Sequence, residues 1–171
     1  MSHKSDYPML IVIFGLPGTG KTTFAETLSQ HLGIGHFNTD RVRNLMDKRK
    51  QYDEENKALV YDKMLSLTKS EIEKGKNVIV DGTFYKKKLR TRLMELAKQY
   101  DASVKWIQVC ADEEVVKERI TKERRYSDAD YAVYQKIKTK FEPMEEEYLQ
   151  LFSDLEETPY MVKKAIKFIE Q

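Results

Sequence analysis

Cysteine is nearly absent. Among 171 residues only Cys110 carries a thiol, which leaves no internal disulfide and no thiolate cluster for a metal. The three histidines, at positions 3, 31 and 36, are scattered rather than grouped. Charge of one sign is lacking too: 30 basic against 28 acidic residues leave a net +2, so total charge by itself indicates no polyanionic partner. No apolar run approaches the length of a membrane span, and the segment Met1–Asp6 lacks the apolar stretch of a secretory signal. With seven glycines and four prolines there is no Pro/Gly-rich linker, and no repeat or low-complexity tract divides the chain. The expectation from these absences is a single domain over residues 1–171, long enough to bury a sizeable core and suited to a reducing cytoplasm.

What is present alternates. Met9–Phe14 is a continuous apolar run ending at Gly15, as a parallel strand buried on both faces should read. Thr22–Leu32 places Phe24, Ala25, Leu28 and Leu32 at helical spacing and closes at Gly33. A short strand is expected around His36–Asn38, followed by a largely helical stretch from Arg41 to Lys74 with a break near 50–53 and a stop at Gly75. Val78–Val80, Val104–Val109 and Tyr148–Phe152 read as further strands. The intervening segments 89–100, 112–125 and 128–140 read as helices, and Thr158-Pro159 reads as a cap opening a terminal helix. The pattern predicts an α/β three-layer sandwich with a five-stranded parallel sheet. Ligands then belong at the carboxyl ends of the strands.

The segment Gly15-Leu16-Pro17-Gly18-Thr19-Gly20-Lys21-Thr22 satisfies G-x-x-x-x-G-K-[ST], between a buried strand and an amphipathic helix. Its glycines let backbone N–H groups converge on phosphate oxygens at a helix N-terminus. Lys21 is placed to neutralise the β- and γ-phosphates, and the Thr22 hydroxyl to hold Mg²⁺. Gly15, Pro17, Gly18, Thr19, Gly20, Lys21, Thr22 and the adjoining Thr23 are therefore the expected contacts for ATP. Asp81, at the end of an apolar strand, is the expected second group for the metal; its alternative is a turn former before Gly82.

The loop alone leaves the reaction open. The chain lacks N-K-x-D, the guanine-reading sequence of GTPases, and has little room for the modules of a motor. After the second strand comes Asn38-Thr39-Asp40-Arg41-Val42-Arg43. A hydroxyl acceptor has a proton to lose, and Asp40 is the candidate base; it could also cap the helix beginning at Arg41. Arg43, one helical turn on, could share that face and bind a phosphate of the acceptor.

The loop, T-D-x-x-R after the second strand and V-I-V-D-G-T after the third resemble the P-loop kinases grouped around polynucleotide kinase, over roughly residues 9–143. That resemblance implies that Asp40 deprotonates the acceptor, Arg43 contacts its phosphate, and Thr83 lines the acceptor site. Polynucleotide kinases often carry Asn after that threonine; here Phe84 stands there, which weakens the case for a nucleic-acid end. The resemblance also implies a sheet of P-loop (nucleotide-kinase-like) type and an arginine-bearing helical lid at about 112–140. Arg119 would approach the phosphates, and because position 123 is Glu, Arg124 or Arg125 would supply the second cation. A solvated helix with i,i+4 ion pairs would show a similar charge pattern. Phe141-Glu142-Pro143 also fits this group, with no chemical role to assign.

The charges are polarised. Lys86–Arg92 holds five positive charges in seven residues, and 41–50 holds five basic residues and one acidic; 141–157 has seven acidic residues and no basic one. The basic segments suit a phosphate backbone, and Tyr52, Tyr61, Phe84 and Tyr85 could stack on a base or simply pack. Cys110 reads as a packed thiol. The expected function is an ATP- and Mg²⁺-dependent kinase for a hydroxyl, favouring a nucleic-acid 5′-end or a nucleoside-like acceptor. Its rivals are a kinase for an antibiotic or sugar, and a nucleotide-dependent binding module with slow ATPase activity.

Overall fold

The computed structural model of the protein describes residues 7–48, 51–122 and 128–171. Five strands, β1 (Met9–Phe14), β2 (Gly35–Asn38), β3 (Val78–Asp81), β4 (Ser103–Cys110) and β5 (Tyr148–Phe152), form one sheet in the order β2-β3-β1-β4-β5. Every pairing is parallel, as the strand–helix alternation predicts. The helices are α1 (Lys21–Leu32), α2 (Thr39–Leu45), α3 (Glu54–Glu73), α4 (Lys87–Gln99), α5 (Glu113–Lys122), α6 (Asp128–Thr139) and α7 (Thr158–Ile169). No helix among the described residues is long and apolar enough to cross a membrane.

The period of two along β1 divides the core into two layers. Leu10, Val12 and Phe14 pack with Val42 of α2, Val60, Met64 and Ile72 of α3, and Leu93 and Ala97 of α4. Ile11 and Ile13 face the opposite way, onto Phe24, Ala25 and Leu28 of α1 and Met161, Val162 and Ala165 of α7. A strand buried on both faces must be apolar at every position, and this is why β1 reads as an unbroken run. The chain fills one side of β1 with β2 and β3 and then crosses to β4 and β5, so β1 ends at the point where the winding reverses.

Helix ends follow the local chemistry. The helix predicted from 41 to 74 is two helices, parted where the break was expected: Asp53 accepts from the Asn56 N–H at 2.9 Å and caps α3. Two expectations about caps are corrected. α2 begins at Thr39, and its cap is Asn38, whose Oδ1 accepts from the N–H groups of Asp40 (2.9 Å) and Arg41 (3.2 Å); Asp40 lies inside the helix and is no cap. At α7 the cap position is Glu157, with no side-chain cap bond, and Thr158 is already helical.

The basic run 86–92 is not the uniform surface that its charge implies. Arg90 is fully buried and donates Nη1 to the Phe84 carbonyl at 2.9 Å and Nη2 to the carbonyls of Glu142 (3.1 Å) and Pro143 (2.7 Å). This gives Phe141-Glu142-Pro143 a structural role: it is laced to the β3–α4 turn, and the Phe141 ring lies 6.3 Å from Phe14. Of the remaining charges, Lys86 pairs with Glu54, Lys87 with Glu145 and Arg92 with Asp62. They border an open groove of about 750 Å³ together with Lys88, Thr91, Glu95 and Glu142. Arg49 and Lys50 of the other basic segment lie outside the described residues.

Replacing Arg90 by Met strands three carbonyls in a dry turn and should lower stability by about 3 kcal/mol. Arg90→Lys should recover less than half of that, because a single ammonium cannot serve carbonyls on two segments. Urea unfolding of the three proteins measures both values.

Candidate active site

The phosphate loop leaves β1 at Gly15 in a conformation only glycine tolerates: φ is +146°, and a Cβ there would lie 2.3 Å from the Val109 carbonyl oxygen of β4. At Gly18, φ +76°, a Cβ would come within 3.0 Å of Val116 on α5, so loop and helix touch through the missing side chain. Two bonds close the loop on itself. Thr19 Oγ1 donates to the Leu16 carbonyl at 2.9 Å and Lys21 Nζ to the same oxygen at 2.7 Å. Lys21 is almost wholly buried, and loss of solvent pushes its ammonium below the usual lysine range, opposed by the negative charges of Asp81 and Asp40. Lysine, strand-end aspartate and candidate base therefore share one field. Pro17 is partly exposed, and Thr23 lies exposed on the first turn of α1.

Asp81 is not a surface turn former: it is completely buried at the end of β3. Its Oδ2 accepts from Asn38 Nδ2 at 2.8 Å and lies 3.2 Å from His36 Nε2. Its Oδ1 is buried and has no hydrogen-bond partner among the described residues. Asn38 Nδ2 also donates to Thr22 Oγ1 at 3.1 Å. A hydroxyl and an unpaired carboxylate oxygen joined through one amide make a donor set of hard oxygens, which fits Mg²⁺.

Asp40 stands exposed, its side chain 71% accessible, and accepts through Oδ1 from Arg43 Nη1 at 2.9 Å. Arg43 is buried instead of reaching outward as a free phosphate hook. Its Nε donates to the Gln51 carbonyl at 3.3 Å, and the Tyr52 ring covers it, 4.5 Å from guanidinium carbon to ring centre. Thr83 Oγ1 lies 3.3 Å from the Tyr61 hydroxyl. Burial raises the Tyr61 phenol above its ordinary range, opposed by its hydrogen bond with Thr83.

The aromatic expectation divides. Phe84 and Tyr85 are buried and offer no face to a base. Phe84 carries φ +44°, rare for a bulky residue, sustained by Arg90 on its carbonyl and by its ring packing 5.5 Å from that of Tyr61. Tyr52 is exposed. Cys110 is half-buried and its thiol is pushed up by desolvation, which suits a packed and unreactive group.

Of the lid arginines, Arg124 and Arg125 lie outside the described residues. Arg119 is brought to the loop through β5: it donates Nη1 to Ser153 Oγ at 2.9 Å and Nη2 to the Ser153 carbonyl at 3.2 Å, and Ser153 Oγ donates to the Thr19 carbonyl at 2.6 Å. His36, Asn38 and Ser153 also belong to this cluster and were not singled out by motif, while Tyr61, expected as a stacking or packing ring, joins it through its hydroxyl. His36 and Asn38 are two apart on a strand and share a face; that spacing was the one available signal.

Comparison with known proteins places this geometry. The chain is similar to an L-seryl-tRNA(Sec) kinase from Methanococcus maripaludis, 33% identical over 100 residues, covering 56% of this chain and 38% of the relative's length. The chain thus spans well under half of that relative. An APS kinase, CysC, from Mycobacterium tuberculosis, in complex with AMPPNP and APS, superposes with a TM-score of 0.76 at 14% identity, over 96% of this chain and 99% of the other. Kti12 from Chaetomium thermophilum, in complex with ADP-AlF3, gives 0.71 at 23% identity, over 94% and 98%. At these identities the two structures establish the fold. The family model described as an AAA domain matches residues 10–144, most of the chain. The protein therefore belongs to this AAA-domain family and has the fold of the P-loop kinases.

Proposed function

We propose that the protein transfers the γ-phosphoryl group of ATP to a hydroxyl, with a nucleic-acid 5′-end or a nucleoside-like compound as the favoured acceptor. The observation that carries this reading is Asp40, an exposed carboxylate held at one oxygen by Arg43 and near enough for its charge to act on Lys21. A base whose position is fixed and whose field reaches the phosphate-binding lysine suits an acceptor that must lose a proton beside the γ-phosphate.

In this reading the loop amides and Lys21 bind the β- and γ-phosphates, and Lys21 exchanges its bond to the Leu16 carbonyl for phosphate oxygens. Thr22 and Asp81 are the residues that would hold Mg²⁺, directly or through water, and the ion when bound would supply charge neutralisation for the triphosphate. Asp40 Oδ2 takes the acceptor's proton as its oxygen bonds to the γ-phosphorus and the bond to the departing ADP breaks. Arg119, tied to Ser153 at the back of the loop, adds positive charge on the nucleotide side, and Thr83 with Tyr61 bounds the acceptor space.

Asp40→Asn keeps the shape and an acceptor for Arg43 but cannot take a proton. Turnover with γ-labelled ATP and hydroxyl acceptors should fall about 10²–10⁴-fold while ATP affinity stays at the wild-type value. Transfer persisting near the wild-type rate would sink the base assignment.

Asn38→Asp tests the link between base and metal side. The new carboxylate can still cap α2 but faces Asp81 in a buried site, so one of the two acids acquires a folded pKa above its unfolded value of about 3.9. A raised acid pKa leaves stability intact at low pH and removes it as pH rises through the folded pKa. Without metal, the variant should unfold near the wild-type urea midpoint at pH 4 and progressively earlier toward pH 8.

A further inference from the structure

Among the described residues, Tyr52 is an aromatic near the candidate base whose ring remains open. It is 56% exposed, whereas Phe84 and Tyr85 are buried and Tyr61 is engaged with Phe84 and Thr83. One face of Tyr52 lies on the guanidinium of Arg43, a group that is only 7% exposed. The same guanidinium grips the backbone beside the ring, through the Gln51 carbonyl, and grips Asp40 through Nη1. Ring and base are thus two arms of a single buried cation. Tyr160 is equally exposed over Lys164, but that pair is one helical turn within α7 and involves none of these groups.

We propose that the outer face of Tyr52 is a stacking platform for the heterocycle of the acceptor, which makes the acceptor a nucleoside or nucleotide, free or at the end of a nucleic-acid chain. This rests on the hydroxyl-kinase reading of the site. A ring pinned from behind by a cation–π contact loses little freedom when a second ring stacks on its front, so the stacking energy is not spent on ordering the platform. A base lying on the outer face of Tyr52 is separated from Asp40 by the ring and the Arg43 guanidinium behind it, so the ribose attached to the base is the part that reaches past the ring edge toward the carboxylate. A sugar without a base would need several polar partners beside the ring. At Gln51 the backbone polar groups are already engaged, the carbonyl with Arg43 Nε and the N–H with the Lys48 carbonyl.

The test is binding without chemistry. With the nucleotide site filled by AMPPNP, calorimetry would follow adenosine 3′-phosphate, a dinucleotide with a free 5′-hydroxyl, and ribose 5-phosphate as the base-free probe. Stacking of one base is worth about 1–3 kcal/mol, so Tyr52→Leu should weaken both nucleotides about 5- to 150-fold. Tyr52→Phe should bind them as the wild type does, and ribose 5-phosphate should respond to neither change. A dinucleotide that binds more tightly than the mononucleotide would identify a chain end as the source of the base; equal affinity would identify the free nucleotide. The proposal is overturned if neither nucleotide binds the wild type, if Tyr52→Leu binds them undiminished, or if ribose 5-phosphate loses as much as they do. Failure of the kinase reading looks different: the nucleotides bind in a Tyr52-dependent manner, yet no acceptor becomes phosphorylated.

Discussion

The side-chain amide of Asn38 holds the candidate site together. Its oxygen accepts the first two free N–H groups of α2, the helix that carries Asp40 and Arg43. Its nitrogen donates to Asp81 on β3 and to Thr22 on α1. Four bonds use the full capacity of an amide, two donors and two acceptor positions. Three elements far apart in sequence therefore take their spacing from one planar group, itself only 5% exposed and protected from competing water.

Around this amide the charges are arranged by burial. Lys21 and Asp81 are both removed from solvent, and among the described residues each is incompletely satisfied: the ammonium rests on one carbonyl, and the carboxylate keeps one oxygen unpaired. Such groups disfavour isolation and favour a ligand bringing opposite charge to each, as a metal-bound triphosphate does. The proposed acceptor side is built differently. Its floor is a rigid turn, in which Arg90 fixes the strained Phe84 backbone and Phe84 in turn supports Tyr61 beside Thr83. Its rim is soft, with Asp40 and Tyr52 both exposed and both held by Arg43.

Much of this was legible in the sequence because it depends on local pattern. The buried run Met9–Phe14, the phosphate-loop spacing and the break before Asp53 each depend on a few neighbouring residues, and strand–helix alternation leads directly to a parallel sheet. Arg90 was misread, since nothing in K-K-K-L-R-T-R separates the one arginine that turns inward from its solvated neighbours. His36 was passed over because its partner is 45 residues away. The capping role went to Asp40 when Asn38, two residues earlier, had the geometry; both residue types cap well, and only the backbone decides between them. Phe84 shows the opposite limit: the departure from the polynucleotide-kinase pattern was visible, but its consequence, a buried ring supporting the acceptor floor, depends on contacts with α3 and α4.

The meeting of Gly18 with Val116 and Ile120 has a mechanical consequence. The loop is bounded on that side by hydrocarbon from another helix, not by its own bonds, so it cannot widen toward α5 without compressing a packed cluster that includes Leu16 and Tyr134. The curvature of the phosphate loop is therefore moulded from outside, by side-chain volume on α5 as much as by the glycines within the loop.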